Sequence, residues 1–201
     1  MRANRLIPIA GLAFAVACSD TATSPTLLTP VGSPLPAVNA GTFGNVTTLN
    51  AGGTPSGGHI QTGGPVNCIV EIDLDVICSG NGPYEISGLG NTNGTATLSV
   101  AYSATVNCTN KGGNLVEVKA HVTDAGSSTG NLRTKNGRLT VPVLTASTPT
   151  DDEFEDQADC PNGNWTPSVA PGDPTLEGFE YDLTFAGFAT PAIFISAGTV
   201  P

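Results

Sequence analysis

The densest group of chemically capable side chains is the stretch "DDEFEDQAD", residues 151–159, where Asp151, Asp152, Glu153, Glu155, Asp156 and Asp159 stand just before Cys160. Hard carboxylate oxygens at this density could hold Ca²⁺. The Asp-x-Asp-x-Asp-Gly spacing that shapes a calcium loop is missing, so the stretch is expected to be a solvated acidic loop. Asp151, Asp152 and Glu155 are kept as candidate contact residues, and no metal is assigned. The second candidate is the single tryptophan, Trp165, in "PNGNWTPSV". Flanked by Asn164 and Thr166, it could stack on a sugar or on a partner's ring. The preferred expectation is a core Trp packed near Cys108 and Cys160, as a Trp packs on an inter-sheet disulfide in related architectures.

Catalytic chemistry finds little support. His59 lies in a glycine-rich stretch and His121 on the outward face of an alternating one, and neither has a nucleophile or acid in its sequence context. The G-x-S-x-G elbow of a Ser–His–acid hydrolase is missing. Zinc needs three or four His, Cys or acidic ligands, and the cysteines are better used in disulfides. With 17 acidic residues, some pair at glycosidase separation arises from number alone, while 5 % aromatic content offers few sugar platforms. No catalytic residue and no cofactor is expected.

The elements that must position these residues begin at a leader. Arg2 and Arg5 precede an apolar run, Leu6 to Ala17, which ends in small residues. This is the order of a secretory signal, too short to span a bilayer. "AVAC", residues 15–18, resembles a bacterial lipobox, although Ala15 is a weaker match than the usual Leu. Parity favours lipidation: the chain has 5 Cys, and a thioether-linked lipid on Cys18 leaves four for two disulfides in an oxidising compartment. Ser19 lacks the Asp that often retains bacterial lipoproteins at the inner membrane, so the resemblance implies the outer membrane or cell surface. The net charge of −10 would repel a polyphosphate, and no nucleic-acid partner is expected.

Residues 19–64 are rich in Ser, Thr, Pro and Gly and nearly uncharged, and they read as a disordered tether. Such a coil spans about 35 to 40 Å. The alternative is that "GNVTTLN" or "HIQT" supplies a first strand, since both contain β-branched residues.

From residue 65 onward the pattern has period two. In "TATLSVAYSATVNC" Ala96, Leu98, Val100, Tyr102, Ala104, Val106 and Cys108 alternate with mostly polar residues, predicting a strand with one buried face. "LVEVKAHV", after the turn "TNKGGN", places Val116, Val118, Ala120 and Val122 inward. "GRLTVPVL" follows Asn136-Gly137, a dipeptide suited to a tight hairpin, and Pro142 marks an edge or bulge. "FEYDLTF" buries Phe179, Tyr181, Leu183 and Phe185, and "AIFIS" closes the set. No window predicts a helix. Seven to ten short strands indicate an antiparallel β-sandwich over 65–201, immunoglobulin-like in the broad sense.

Four cysteines allow three connectivities. Cys68 and Cys78 enclose "IVEIDLDVI", which as one straight strand would hold them about 33 Å apart. A hairpin turning near Asp73 brings them together, puts Glu71, Asp73 and Asp75 at a solvent-facing tip, and leaves Cys108 for Cys160. This pairing is favoured and the other two stay open. The segments "VNCTNKGG", "KNGRLTVP", "CPNGNWTPSV" and "FEYDLTFAGF", in that order between Cys68 and Ser196, resemble small exported bacterial lipoproteins with a disulfide-bonded β-domain. The resemblance implies that fold and supplies no catalytic residue. The functional expectation is a lipid-anchored binding or adhesion module whose partners are the membrane and an envelope protein or glycan. A structural envelope component or filament subunit comes second, and a glycan hydrolase last.

Overall fold

Strand β6 (Gly94–Asn110) organises the architecture. Its seven alternating positions from Ala96 to Cys108 are all buried, so the pattern read from the sequence describes one continuous 17-residue strand. A computed structural model of the 201-residue chain describes residues 37–79, 82–123 and 126–200. The expected leader and Cys18 lie outside the described residues.

The largest sheet has six strands. Its order is β11 (Trp165–Thr166), β6, β12 (Thr175–Phe185), β13 (Ile193–Gly198), with β7 (Leu115–Thr123) and β8 (Ser127–Ser128) also on β6. A four-stranded sheet runs β1 (Gly41–Val46), β3 (Val66–Val70), β4 (Val76–Ser79), β10 (Leu144–Ala146), and a three-stranded sheet runs β2 (His59–Thr62), β5 (Tyr84–Ser87), β9 (Arg138–Val141). Every strand pair is antiparallel. Both smaller sheets face the large one. From β1, the Phe43 ring meets Phe179 of β12 edge-on at 5.4 Å. From β5, the Tyr84 hydroxyl meets that of Tyr181 on β12. The fold is an all-β antiparallel sandwich.

Between the facing layers lies one core that includes Val66, Val76, Ile86, Leu98, Val100, Leu139, Leu176, Phe179, Leu183 and Phe185. Burying one such side chain stabilises the fold by about 1.5 to 3 kcal/mol. The predicted inward residues of "FEYDLTF" are all in it. The Asn136-Gly137 turn has both residues at positive φ, 53° and 72°, and closes through two hydrogen bonds between Lys135 and Arg138. Pro142 lacks an N–H and sits where β9 ends, so the chain leaves the three-stranded sheet there and enters the four-stranded one as β10. Both segments are edge strands, as the proline suggested.

Several expectations need correction. The tether does not extend to Gly64: "HIQT" is β2, and β1 begins at Gly41, paired with β3 through Gly41–Val70 and Phe43–Cys68. The low charge and many glycines of this stretch concealed short strands anchored by their pairing rather than by alternation. Thirteen strands occur among the described residues, more than ten, because several have only two to four residues. On β7 only Ala120 is fully buried, and Val116 is 40 % exposed although its partner Cys108 on β6 is fully buried. A helix, α1 (Asp151–Gln157), stands where none was expected. No helix among the described residues is long and apolar enough to cross a membrane.

Candidate functional site

The β3–β4 hairpin brings Cys68 opposite Cys78, with Cα atoms 4.1 Å apart and a disulfide between them. The expected pairing is therefore the one present. Beyond it the chain turns through Glu71, Ile72, Asp73, Leu74 and Asp75. The Glu71 N–H donates to the Asp75 carbonyl at 2.9 Å, and the Leu74 N–H to the Glu71 carbonyl at 3.1 Å. Leu74 has φ 71°, a left-handed conformation that costs a non-glycine residue about 1 kcal/mol or more.

Contacts from two other elements hold that conformation. The Thr148 N–H donates to Asp75 Oδ1 at 2.8 Å, and the Thr148 hydroxyl to the Asp73 carbonyl at 2.6 Å. The Tyr102 hydroxyl, from the middle of β6, donates to the Leu74 carbonyl at 2.9 Å. Burial pushes the Tyr102 hydroxyl pKa up to about 12, a Thr148 hydrogen bond draws it down in part, and the charges of Asp75 and then Asp73 add to the rise. The hydroxyl therefore stays protonated and remains a donor. At the apex of this pinned loop Ile72 is 94 % exposed. Carboxylate oxygens of Glu71, Asp73 and Asp75 can be chosen within 4.8 Å of one another, a spacing at which hard oxygens could hold a divalent cation.

The other acidic run takes a different form. Asp151, Asp152 and Glu155 belong to α1 rather than to a loop. Thr150 caps the helix, and its hydroxyl accepts from the Glu153 N–H while the Glu153 carboxylate accepts from the Thr150 N–H at 2.8 Å. The Thr150 N–H first, and then the Thr150 hydroxyl, which also donates to Glu153 Oε2 at 3.0 Å, hold the Glu153 carboxyl below its usual range. Asp151, Asp152 and Glu153 occupy the first turn, where the helix dipole favours negative charge. Phe154 is fully buried and pins the helix to the core. Much of the acidity in this run thus serves the helix start. The signal was present in the sequence as Thr150-x-x-Glu153, the spacing of a capping box.

Cys108 and Cys160 are bonded as expected, with Cα atoms 5.8 Å apart. Trp165 departs from the expectation of a core residue. It is only half-buried, on the two-residue strand β11 opposite Asn110, and lies outside the core cluster. β11 pairs with the last two residues of β6, Thr109 and Asn110. Asn162 shapes its approach, accepting the Trp165 N–H at 3.1 Å and, through Oδ1, the Asn164 N–H at 3.0 Å.

Three groupings were not visible in the sequence. His121 Nδ1 lies 3.3 Å from Glu177 Oε2, and His121 also lines a groove with Glu153 and Asp156 of α1. Glu177 sits at a register shift in the β12–β6 pairing, so counting by twos could not place it. Asp182 stands opposite Phe194, which is 52 % exposed, across the β12–β13 pair. Burial, then the Glu180 charge, raises the Asp182 carboxyl pKa. Arg133, Lys135 and Arg138, all exposed, gather around the Asn136-Gly137 turn.

Comparison of the chain with protein-family models, with curated proteins and with solved structures finds no match in any of the three.

Proposed function

We propose that this protein is a non-catalytic binding module outside the cytoplasm, lipid-anchored through Cys18 at the outer membrane or cell surface, which recognises an envelope protein or glycan. The observation that carries the recognition part is the pinned loop Glu71–Asp75. A disulfide closes its base, Thr148 and Tyr102 fix its backbone, and Ile72 projects from its apex. A loop ordered before contact loses little entropy on binding, and an apolar residue ringed by carboxylates fits a partner that presents cations on apolar stems. The anchoring part is supported by the leader, the small residues before Cys18 and the four remaining cysteines, which all pair.

The test is an array of envelope proteins and glycans probed with the full chain and with Ile72→Asp. A partner bound by the wild type and lost by the variant at an unchanged melting temperature is expected. Partners bound equally by both would remove the loop from recognition. Trp165 is the second surface on the same array, with Trp165→Ala selectively reducing glycan signals if its ring stacks on sugar.

A further inference from the structure

Two patches of opposite charge are fixed to different points of β6. Arg133, Lys135 and Arg138 are three of the chain's 7 cations, and Arg2 and Arg5 in the leader are two more. All three are exposed, and the single ion pair among the described residues joins His121 to Glu177. The basic hairpin is anchored where β6 begins: Leu132 and Gly94 exchange backbone hydrogen bonds at 3.1 and 2.7 Å, and the Thr134 N–H donates to Asn93 Oδ1 at 3.1 Å. Lys135 and Arg138 line a groove with Asn136, Thr140 and Glu85, and Glu85 pairs with neither cation.

The acidic loop is attached eight residues further along, where Tyr102 holds the Leu74 carbonyl. At about 3.3 Å per residue the two attachment points are about 26 Å apart along the strand. The loop brings three carboxylates, and the Asp151–Asp159 run, which starts three residues after Thr148, brings six of the remaining acids. Lys111 and Lys119, on the β6–β7 hairpin, are the other cations and make no ion pair among the described residues.

The geometry points to self-association, in which the Ile72-tipped acidic loop of one copy docks on the basic hairpin Arg133–Arg138 of another. Charge complementarity selects a second copy: each molecule carries both halves of the contact, and their separation along β6 keeps the loop from reaching its own hairpin. Each copy offers one loop and one hairpin, so the contact either is made twice across a two-fold axis or repeats head to tail into rings or open filaments. Both patches are small, so the association is concentration-dependent. It rests on the loop being a contact surface, as proposed above, and adds the identity of one partner.

Sedimentation velocity of the full chain over a concentration series tests it. The wild type is expected to pass from monomer to dimer or larger species as concentration rises. Glu71→Gln/Asp73→Asn and Arg133→Gln/Lys135→Gln should each remain monomeric alone, with melting temperatures near the wild type. Mixed, they should form a one-to-one dimer and nothing larger, since one intact loop and one intact hairpin remain. Ile72→Ser should weaken assembly without changing charge. A wild type monomeric at every concentration, or a mixture that fails to pair, overturns self-association. An array partner that still depends on Ile72 would then leave the contact-loop reading standing.

Discussion

The hydroxyls of Tyr84 and Tyr181 meet at 2.8 Å inside the sandwich, joining β5 to β12 across the two layers. Burial, then the charge and hydrogen bond of Tyr181, raises the Tyr84 pKa well above its ordinary value, and burial brings Tyr181 to about 12. Both folded values exceed the unfolded value of about 10. The folded state therefore holds these protons more tightly, and its stability should be intact below pH 10 and fall as pH rises toward 12. Urea unfolding at pH 8 and pH 11 should show the loss, reduced in Tyr84→Phe/Tyr181→Phe. At neutral pH, Tyr84→Phe alone leaves a buried hydroxyl unpaired and should cost about 1 to 3 kcal/mol. The double variant should cost less than the two single changes added together.

Asp182 carries a carboxyl whose pKa burial and Glu180 have raised. A raised folded pKa gives stability present below the unfolded value and lost as pH climbs through the folded one. Asp182→Asn should thus raise the melting temperature at pH 7 and change it little at pH 3. An equal shift at both values would assign the effect to packing.

The two disulfides close loops of different length, with sequence separations of 10 and 52. Chain entropy alone gives about 3 kcal/mol for the first and about 4 kcal/mol for the second. Cys108→Ser/Cys160→Ser should be the more destabilising pair in urea titrations. Non-reducing peptide maps should join Cys68 to Cys78 and Cys108 to Cys160.

Helix α1 depends on its cap and on one buried ring. Thr150→Ala should cost about 1 kcal/mol, and Phe154→Ala about 3 to 5 kcal/mol. Thr150→Ser should recover most of the first loss, which a role for the Thr150 methyl in packing would not allow.

Anchorage is tested in a bacterial host. A fatty-acid probe should label the wild type and leave Cys18→Ser unlabelled. Equal labelling of both would place the lipid elsewhere or remove it.

Alternation made the centre of the fold readable. Along β6 from Ala96 to Cys108 and along β12 from Phe179 to Phe185 every second residue is buried, and these are the stretches the pattern identified. The pattern said less where a strand is short or meets little cover. β1 and β2 are held by pairing to β3 and β5, a relation between distant segments that no local window contains. The acidic hairpin was legible because two cysteines ten residues apart can bond only if the chain reverses. The role of Thr148 and Tyr102 in fixing it was not, because both reach it across more than 25 residues. The helix was missed because six acids drew attention to charge, while the information lay in Thr150 three residues before Glu153. Trp165 was misplaced by analogy with domains whose disulfide joins two sheets; here Cys160 follows a surface helix and one of the bonded partners lies outside every strand.

The departure of the chain from one sheet to another at Pro142 also bears on how the molecule comes apart. β9 and β10 are separated by only two residues, so a fluctuation that frees Leu139 and Val141 from β5 leaves Leu144 and Ala146 attached to β4 by a three-residue pairing too brief to persist alone. The two smaller sheets thus share one seam. Their amides should exchange with solvent as a single cooperative unit, and the sandwich loses that layer in one step rather than strand by strand.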